Sequence, residues 1–213
     1  MIKFIKPSYE INMLGQTGIE KLKVIEDAAR NCYASNPKTT ETSYIGMIKT
    51  LIKNKHLSVF EYADVIIEFT CCRAFSHELV RHRMSSFAQQ SQRYVKYNDN
   101  ISFIIPTFSF LEHGDDETIL NTNLEMKDRI WVESMVSATN SYNKLLEQGL
   151  HVQSARAVLP NSTATKIKIK TNIRELIHIK ELRTAPSASP EMRELMIPLF
   201  KELNELIPIV FED

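Results

Sequence analysis

Apolar positions along the 213-residue chain follow two rhythms, one helical and one strand-like. Ile19, Leu22, Ile25, Ala28, Ala29 and Cys32 recur every three or four residues and predict an amphipathic helix over about 18–34. Ile45, Ile48, Leu51 and Ile52 mark a second over about 41–54, and Ile130, Met135, Tyr142, Leu145 and Leu146 a long one over about 123–148 that stops at Gly149. Strand signals lie at Lys3 to Ile11 and at the β-branched run Tyr62 to Thr70, which a helix from about Arg73 to Ser85 follows. The chain is then irregular through Asn98 to Asn100, extended at Ile101 to Pro106, and a surface loop in the acidic stretch after His113. Gln153 to Leu159 reads as helical, closed by Pro160. Thr165 to Thr171 alternates strictly, with Lys166, Lys168 and Lys170 on a wet face and Ile167 and Ile169 on a dry one. Asn172 with Glu175 three residues on resembles a capping box and opens a helix over 173–183. A last helix follows Pro186 and Pro190 to about Leu206. With no βαβ alternation, this order predicts an α+β fold. It is expected to form a compact single domain, 1–213, with a mainly antiparallel sheet flanked by helices.

Composition narrows the class. No apolar run reaches the roughly 20 residues of a membrane span, and the N-terminus lacks a secretory pattern. Three cysteines without regular spacing argue against a disulfide framework. Together these predict a cytoplasmic protein with no membrane partner. The net charge is zero, but it is segregated: residues 73–96 and 156–183 are basic, and 112–133 are acidic. Two local basic segments in a neutral chain suit a small anionic ligand better than nucleic acid.

Five glycines in no G-x-G-x-x-G or P-loop pattern exclude a Rossmann turn or a Walker loop. His77 and His82 are five apart, so they cannot share a metal on one helix, and no metal site is expected. On a helix through 77–83, Glu78, Arg81 and His82 would share a face, with Arg83 about 160° from Arg81. Divergent arginines suit separated phosphates. The following Gln89, Gln90, Ser91, Gln92 and Arg93 supply neutral donors and acceptors for a heterocycle edge. From spacing alone, a surface helix with ordinary ion pairs and a polar loop is the plainer reading.

Arg81-His82-Arg83, seven residues, then Ser91, continued by Arg93-Tyr94, resembles the signature of the flavin-dependent thymidylate synthases. His56 to Glu61, Arg156 to Pro160, Asn172 to Leu176, and Arg183 resemble further segments of that family, in order, so the likeness spans about residues 28–194. The resemblance implies reductive methylation of dUMP to dTMP, with methylenetetrahydrofolate as carbon donor and FAD, reduced by NADPH, as hydride carrier. It also implies a homotetramer with active sites between subunits.

Carried over by residue, Glu78, Leu79, Val80 and Arg81 would meet dUMP, as would Gln89, Gln90, Ser91, Gln92, Arg93 and Arg156. Ser58, Arg81, His82, Arg83, Gln89, Asn172, Ile173, Arg174 and His178 would meet FAD. Arg183 would face the uracil ring as the catalytic residue and favour ionisation at N3, since a fixed cation stabilises a developing anion in a dry site. No enzyme nucleophile is implied, so Ser91 is a ligand contact.

The same residues admit plainer roles. Asn172 can be only a cap, Ser58 likewise, His56 a structural histidine, and Arg174 with His178 a polar surface pair. The chain departs from the family at Gln89, where many members carry Glu, at His178, often Asn, and at Ala188 to Arg193, which replaces an alanine-glutamine-tryptophan run. Two other readings stand beside the enzyme. One is a nucleotide- or RNA-binding module using the Lys166, Lys168 and Lys170 face, though few aromatics lie nearby for stacking. The other is a family member that binds dUMP or FAD without turnover.

Overall fold

The structure, a computed structural model, describes residues 2–97 and 100–212. In chain order its elements are β1 (Lys3–Ile5), β2 (Ser8–Asn12), α1 (Gly18–Cys32), α2 (Ser43–Lys53), β3 (Asp64–Cys72), α3 (Arg73–Leu79), β4 (Ser86–Gln89), β5 (Ser102–Ile104), β6 (Gly114–Asp115), α4 (Asp116–Leu120), α5 (Met126–Glu147), α6 (Val152–Ala155), β7 (Ala164–Asn172), α7 (Ile173–Arg183) and α8 (Pro190–Leu206). The fold is α+β, and no helix among the described residues is long and apolar enough to cross a membrane.

Contacts divide the chain into two compact units, the first Met1–Ser8, Phe69–Leu79 and Ala88–Ile167, the second Tyr9–Glu68, Val80–Phe87 and Lys168–Asp213. In the first, β1 is the middle of a three-stranded sheet ordered β5-β1-β6. It pairs parallel with β5, Lys3 opposite Ser102, and antiparallel with β6, Phe4 opposite Gly114. Phe4 and Phe103 from this sheet are fully buried with Val132 and Tyr142 of α5, and Trp131 tilts against Phe4 at 5.2 Å between ring centres. A second sheet, ordered β2-β3-β7-β4, contains the two nine-residue strands β3 and β7. Along β7, Thr165, Ile167, Ile169 and Thr171 are buried and Lys166, Lys168 and Lys170 are exposed, which matches the alternation.

In the second unit α1 opens on a full capping box: Glu20 N–H donates to Thr17 Oγ1 at 3.2 Å and Thr17 N–H to Glu20 Oε2 at 2.6 Å. Its apolar face, Leu22, Ile25 and Ala29, is buried, as are Ile48 and Leu51 of α2, Leu176 and Ile179 of α7, and Met192, Leu195, Leu199 and Leu203 of α8. The first residue of α1, Gly18, lies so close to the end of α8 that a Cβ there would sit 1.8 Å from the Leu206 carbonyl oxygen.

Three expectations are corrected. Lys3 to Ile11 is two strands belonging to different sheets, because Lys6-Pro7 interrupts it and proline brings no N–H to a ladder. The acidic stretch after His113 is ordered: β6 pairs with β1, and Asp115 caps α4 by accepting from Thr118 N–H at 2.8 Å. The helix after β3 ends at Leu79, so Arg81, His82 and Arg83 lie in turns and the shared helical face is not formed. Of the stretch expected to be irregular, residues 98 and 99 lie outside the described residues.

Candidate active site

The turn after α3 buries His82, only 4% exposed, between exposed Arg81 and Arg83. The imidazole reaches α7. Its Nδ1 lies 3.0 Å from Glu175 Oε1, and its Nε2 accepts from Arg183 Nε at 2.9 Å. His178 stands edge-on to it, 6.0 Å between ring centres. One helix therefore supplies a carboxylate from its first turn and a guanidinium from its last to the same ring. Local sequence explains the start of that helix: Asn172 Oδ1 accepts from Glu175 N–H at 2.9 Å. Only that half of the expected capping box forms, because the Glu175 side chain turns to His82.

Burial pushes the His82 pKa below the ordinary imidazole value. The Glu175 hydrogen bond and charge oppose that shift, while the Arg183 and His178 charges add to it. His82 thus stays neutral in the folded protein at neutral pH. Stability carried by the neutral ring is fully present above the unfolded-state value and is lost as pH falls through the lowered folded-state value. Thermal midpoints are expected to hold steady above about pH 6.5 and to drop below it. His82→Gln is expected to shrink that drop, and equal pH profiles for both proteins would clear His82 of it.

His82, Glu175 and His178 also place three potential ligand atoms within 4.8 Å of one another. Both ring nitrogens of His82 are already engaged, so the group reads as a hydrogen-bonded relay and not as a ligand set.

Two clefts in the second unit meet at Arg174. One, of about 400 Å³, is lined by Asn172, Arg174, His178 and Glu181 among others; the second, of about 340 Å³, by His56, Ser58, Lys55 and Arg174. The structure thus brings Ser58 and His56 to the helix bearing Arg174, and Arg174 and His178 line one cleft as their i, i+4 spacing suggested. Arg174 Nη1 is paired with Glu61 Oε1, a partner not expected from sequence. Ile173 is fully buried and packs into the core.

In the first unit Glu78 is partly buried and Leu79 fully so. The Ser76 hydroxyl donates to the Arg73 carbonyl at 2.9 Å, so its oxygen accepts from Gln89 Nε2 at 2.8 Å, and Thr165 Oγ1 accepts from the same nitrogen at 3.3 Å. With both amide protons used, Gln89 offers a ligand only its carbonyl oxygen. A glutamate at this position could only accept from these hydroxyls, and Ser76 already spends its proton on the Arg73 carbonyl. Gln90 N–H donates to the Lys166 carbonyl at 2.9 Å. Ser91 Oγ accepts from Arg93 N–H at 3.2 Å, and the Arg93 guanidinium lies 5.4 Å over the Tyr94 ring. Gln92 is partly buried, and Arg156 donates to the Gln153 carbonyl at 3.2 Å. Val80, in the turn of the second unit, is 38% exposed.

The lysine stripe of β7 is largely neutralised: Lys168 pairs with Glu68 at 2.9 Å and Lys170 with Asp64 at 3.0 Å. That arrangement argues against a nucleic-acid face.

The family described as thymidylate synthase complementing protein matches residues 14–209. The chain is 32% identical over 194 residues to the flavin-dependent thymidylate synthase of Geobacter sulfurreducens, covering 87% of this chain and 78% of that protein. It is 34% identical over 199 residues to the one of Mycobacterium avium, covering 89% and 78%. In structure it is similar to a UMP/dUMP methylase, PolB, from Streptomyces cacaoi solved with 5-Br dUMP, with a TM-score of 0.76, 22% identity, and 97% and 93% of the two chains covered. That last likeness speaks to the fold.

Proposed function

Because the chain belongs to the flavin-dependent thymidylate synthase family, we propose that it converts dUMP to dTMP as an FAD-dependent methyltransferase. The observation that carries the reading is the family match over residues 14–209, together with the placement of Arg183 on the His82 imidazole. The carbon donor is methylenetetrahydrofolate and the reductant NADPH. Two electrons beyond the methylene carbon are needed to make a methyl group, and NADPH provides them, so the folate carrier keeps its own oxidation level.

The residues of the two clefts fit a flavin dinucleotide. Arg174 offers a cation where they meet, and Asn172, Ser58 and His178 line them with polar groups. Bound FAD would supply the hydride. Everything else falls to the chain. Arg174 and Ser58 would bind and orient the dinucleotide. The 89–93 segment and Arg156 would hold the nucleotide, with the Gln89 carbonyl as an acceptor. Arg183 would place its fixed positive charge beside uracil N3 and hold the ring anionic. The active assembly is a cytoplasmic homotetramer with sites shared between subunits.

The test is dTMP formation by the purified protein from dUMP, methylenetetrahydrofolate and NADPH, with and without added FAD. Turnover that depends on FAD is expected. Flavin and dUMP binding without product would leave a non-catalytic member of the family, and no flavin binding with no product would end the reading altogether.

A further inference from the structure

We propose that Glu175 is a positioning residue: its carboxylate holds the His82 proton on Nδ1, which leaves Nε2 bare to accept and aim the Arg183 guanidinium. The inference rests on the reading of Arg183 as the group that works on the substrate ring. It concerns a residue whose spacing presented it as part of a helix cap.

A guanidinium has N–H groups and no acceptor. The 2.9 Å contact from Arg183 Nε therefore requires a lone pair on His82 Nε2. A neutral imidazole carries one proton, so it sits on Nδ1, where Glu175 Oε1 accepts it at 3.0 Å. The partner of one ring nitrogen thus dictates the state of the other. Without the carboxylate the ring is free to carry its proton on Nε2, and that N–H would point at the Arg183 N–H.

Each member of the relay is itself held. Glu175 is buried at 8% exposure, its backbone is fixed by the Asn172 side chain, and its charge lies in the first turn of α7, where the helix dipole favours an anion. Arg183 lies eight residues on, about 12 Å further along the axis, and helical Cα–Cβ bonds tilt back toward the N-terminus, the direction of Glu175. His82 spans the gap from a turn that packs it at 4% exposure. The charged and titratable groups facing the ring are Glu175, Arg183 and His178. A long guanidinium side chain held in this way enters the reaction already oriented, which is where an electrostatic catalyst gains its advantage.

The experiment uses the full-length protein labelled with ¹⁵N-histidine, with the His82 signals identified by their loss in His82→Gln. In the wild type the ring proton is expected on Nδ1; a proton on Nε2 would overturn the proposal with no variant needed. Glu175→Gln keeps the shape but can either donate or accept, so the ring is expected to populate both tautomers. The same change is expected to lower kcat for dTMP formation roughly 10- to 100-fold, while KM for dUMP moves less than about 3-fold. In an Arg183→Ala background it should change residual kcat less than about 2-fold, because its effect runs through that arginine. Unchanged kcat in Glu175→Gln, or losses that simply multiply in the double variant, would refute it. A wild type that makes no dTMP yet shows the Nδ1 proton, and loses that preference in Glu175→Gln, would retire the proposed reaction and keep the Glu175–His82–Arg183 hold.

Discussion

Arg183→Ala is expected to reduce dTMP formation by about 10²- to 10³-fold or more, the usual cost of deleting one preorganised charge partner at a developing anion. FAD binding is expected to survive, because the clefts lined by Ser58, Asn172, Arg174 and His178 do not include Arg183. The contrast between the two readouts is what makes the experiment informative. Arg183→Lys retains the charge but replaces the planar fork with a single ammonium, which cannot reproduce the Nε–H contact to His82 in the same geometry. It should recover only a minor share of the lost rate. Product formation by Arg183→Ala at the wild-type rate would remove this residue from the mechanism. Loss of flavin along with activity would show that it acts in binding instead.

Gly18→Ala is expected to destabilise the protein by about 1–3 kcal/mol, a drop in thermal midpoint of roughly 2–12 °C for a domain of this size. In an open helical position alanine would gain about 1 kcal/mol over glycine. Here the new methyl group would lie 1.8 Å from the Leu206 carbonyl oxygen and 2.9 Å from Ile207 Cα, both backbone atoms that cannot rotate away. The start of α1 must therefore separate from the end of α8. Gly46 in the middle of α2 is the matched control: nothing lies within 4 Å of its would-be Cβ, and Gly46→Ala should stabilise by about 0.5–1 kcal/mol. Calorimetry on the pair checks both signs. Equal shifts in the same direction would mean that the close approach at Gly18 carries no cost.

Much of the fold was legible because it is written locally. The stripes of α1 and α2 and the alternation of β7 each repeat within a few residues; burial follows β7 throughout and the helical stripes at Leu22, Ile25, Ala29, Ile48 and Leu51, while Ile19, Cys32 and Ile45 stay exposed. What was misread depends on distant partners. β6 is two residues long and exists only because β1 pairs with it from more than a hundred positions away. The end of α3 at Leu79 leaves His82 to be buried by a helix ninety-odd positions on, which no periodicity near residue 82 could announce. The site divides in the same way. Arg174 and His178 share a cleft because helical spacing puts them there. The reach of Glu175 to a ring 93 positions earlier is a tertiary fact, and its local spacing from Asn172 pointed to a cap instead. The flavin, the folate and the nucleotide were never legible in spacing at all; they came from the likeness of whole segments to a family.

The short first strand sets a timetable for the newborn chain. Lys3 of β1 lies opposite Ser102 of β5, 99 positions later, and Phe4 lies opposite Gly114 of β6. At about 5–20 residues per second of synthesis, β1 waits on the order of 5–20 s before either neighbour has been made. Throughout that interval Ile2 and Phe4, buried in the finished protein, have no sheet to enter. Pairings of such long sequence separation close late and slowly. Burial of Ile2 and Phe4 in this sheet therefore has to await synthesis as far as Ser102, whatever local structure has formed before.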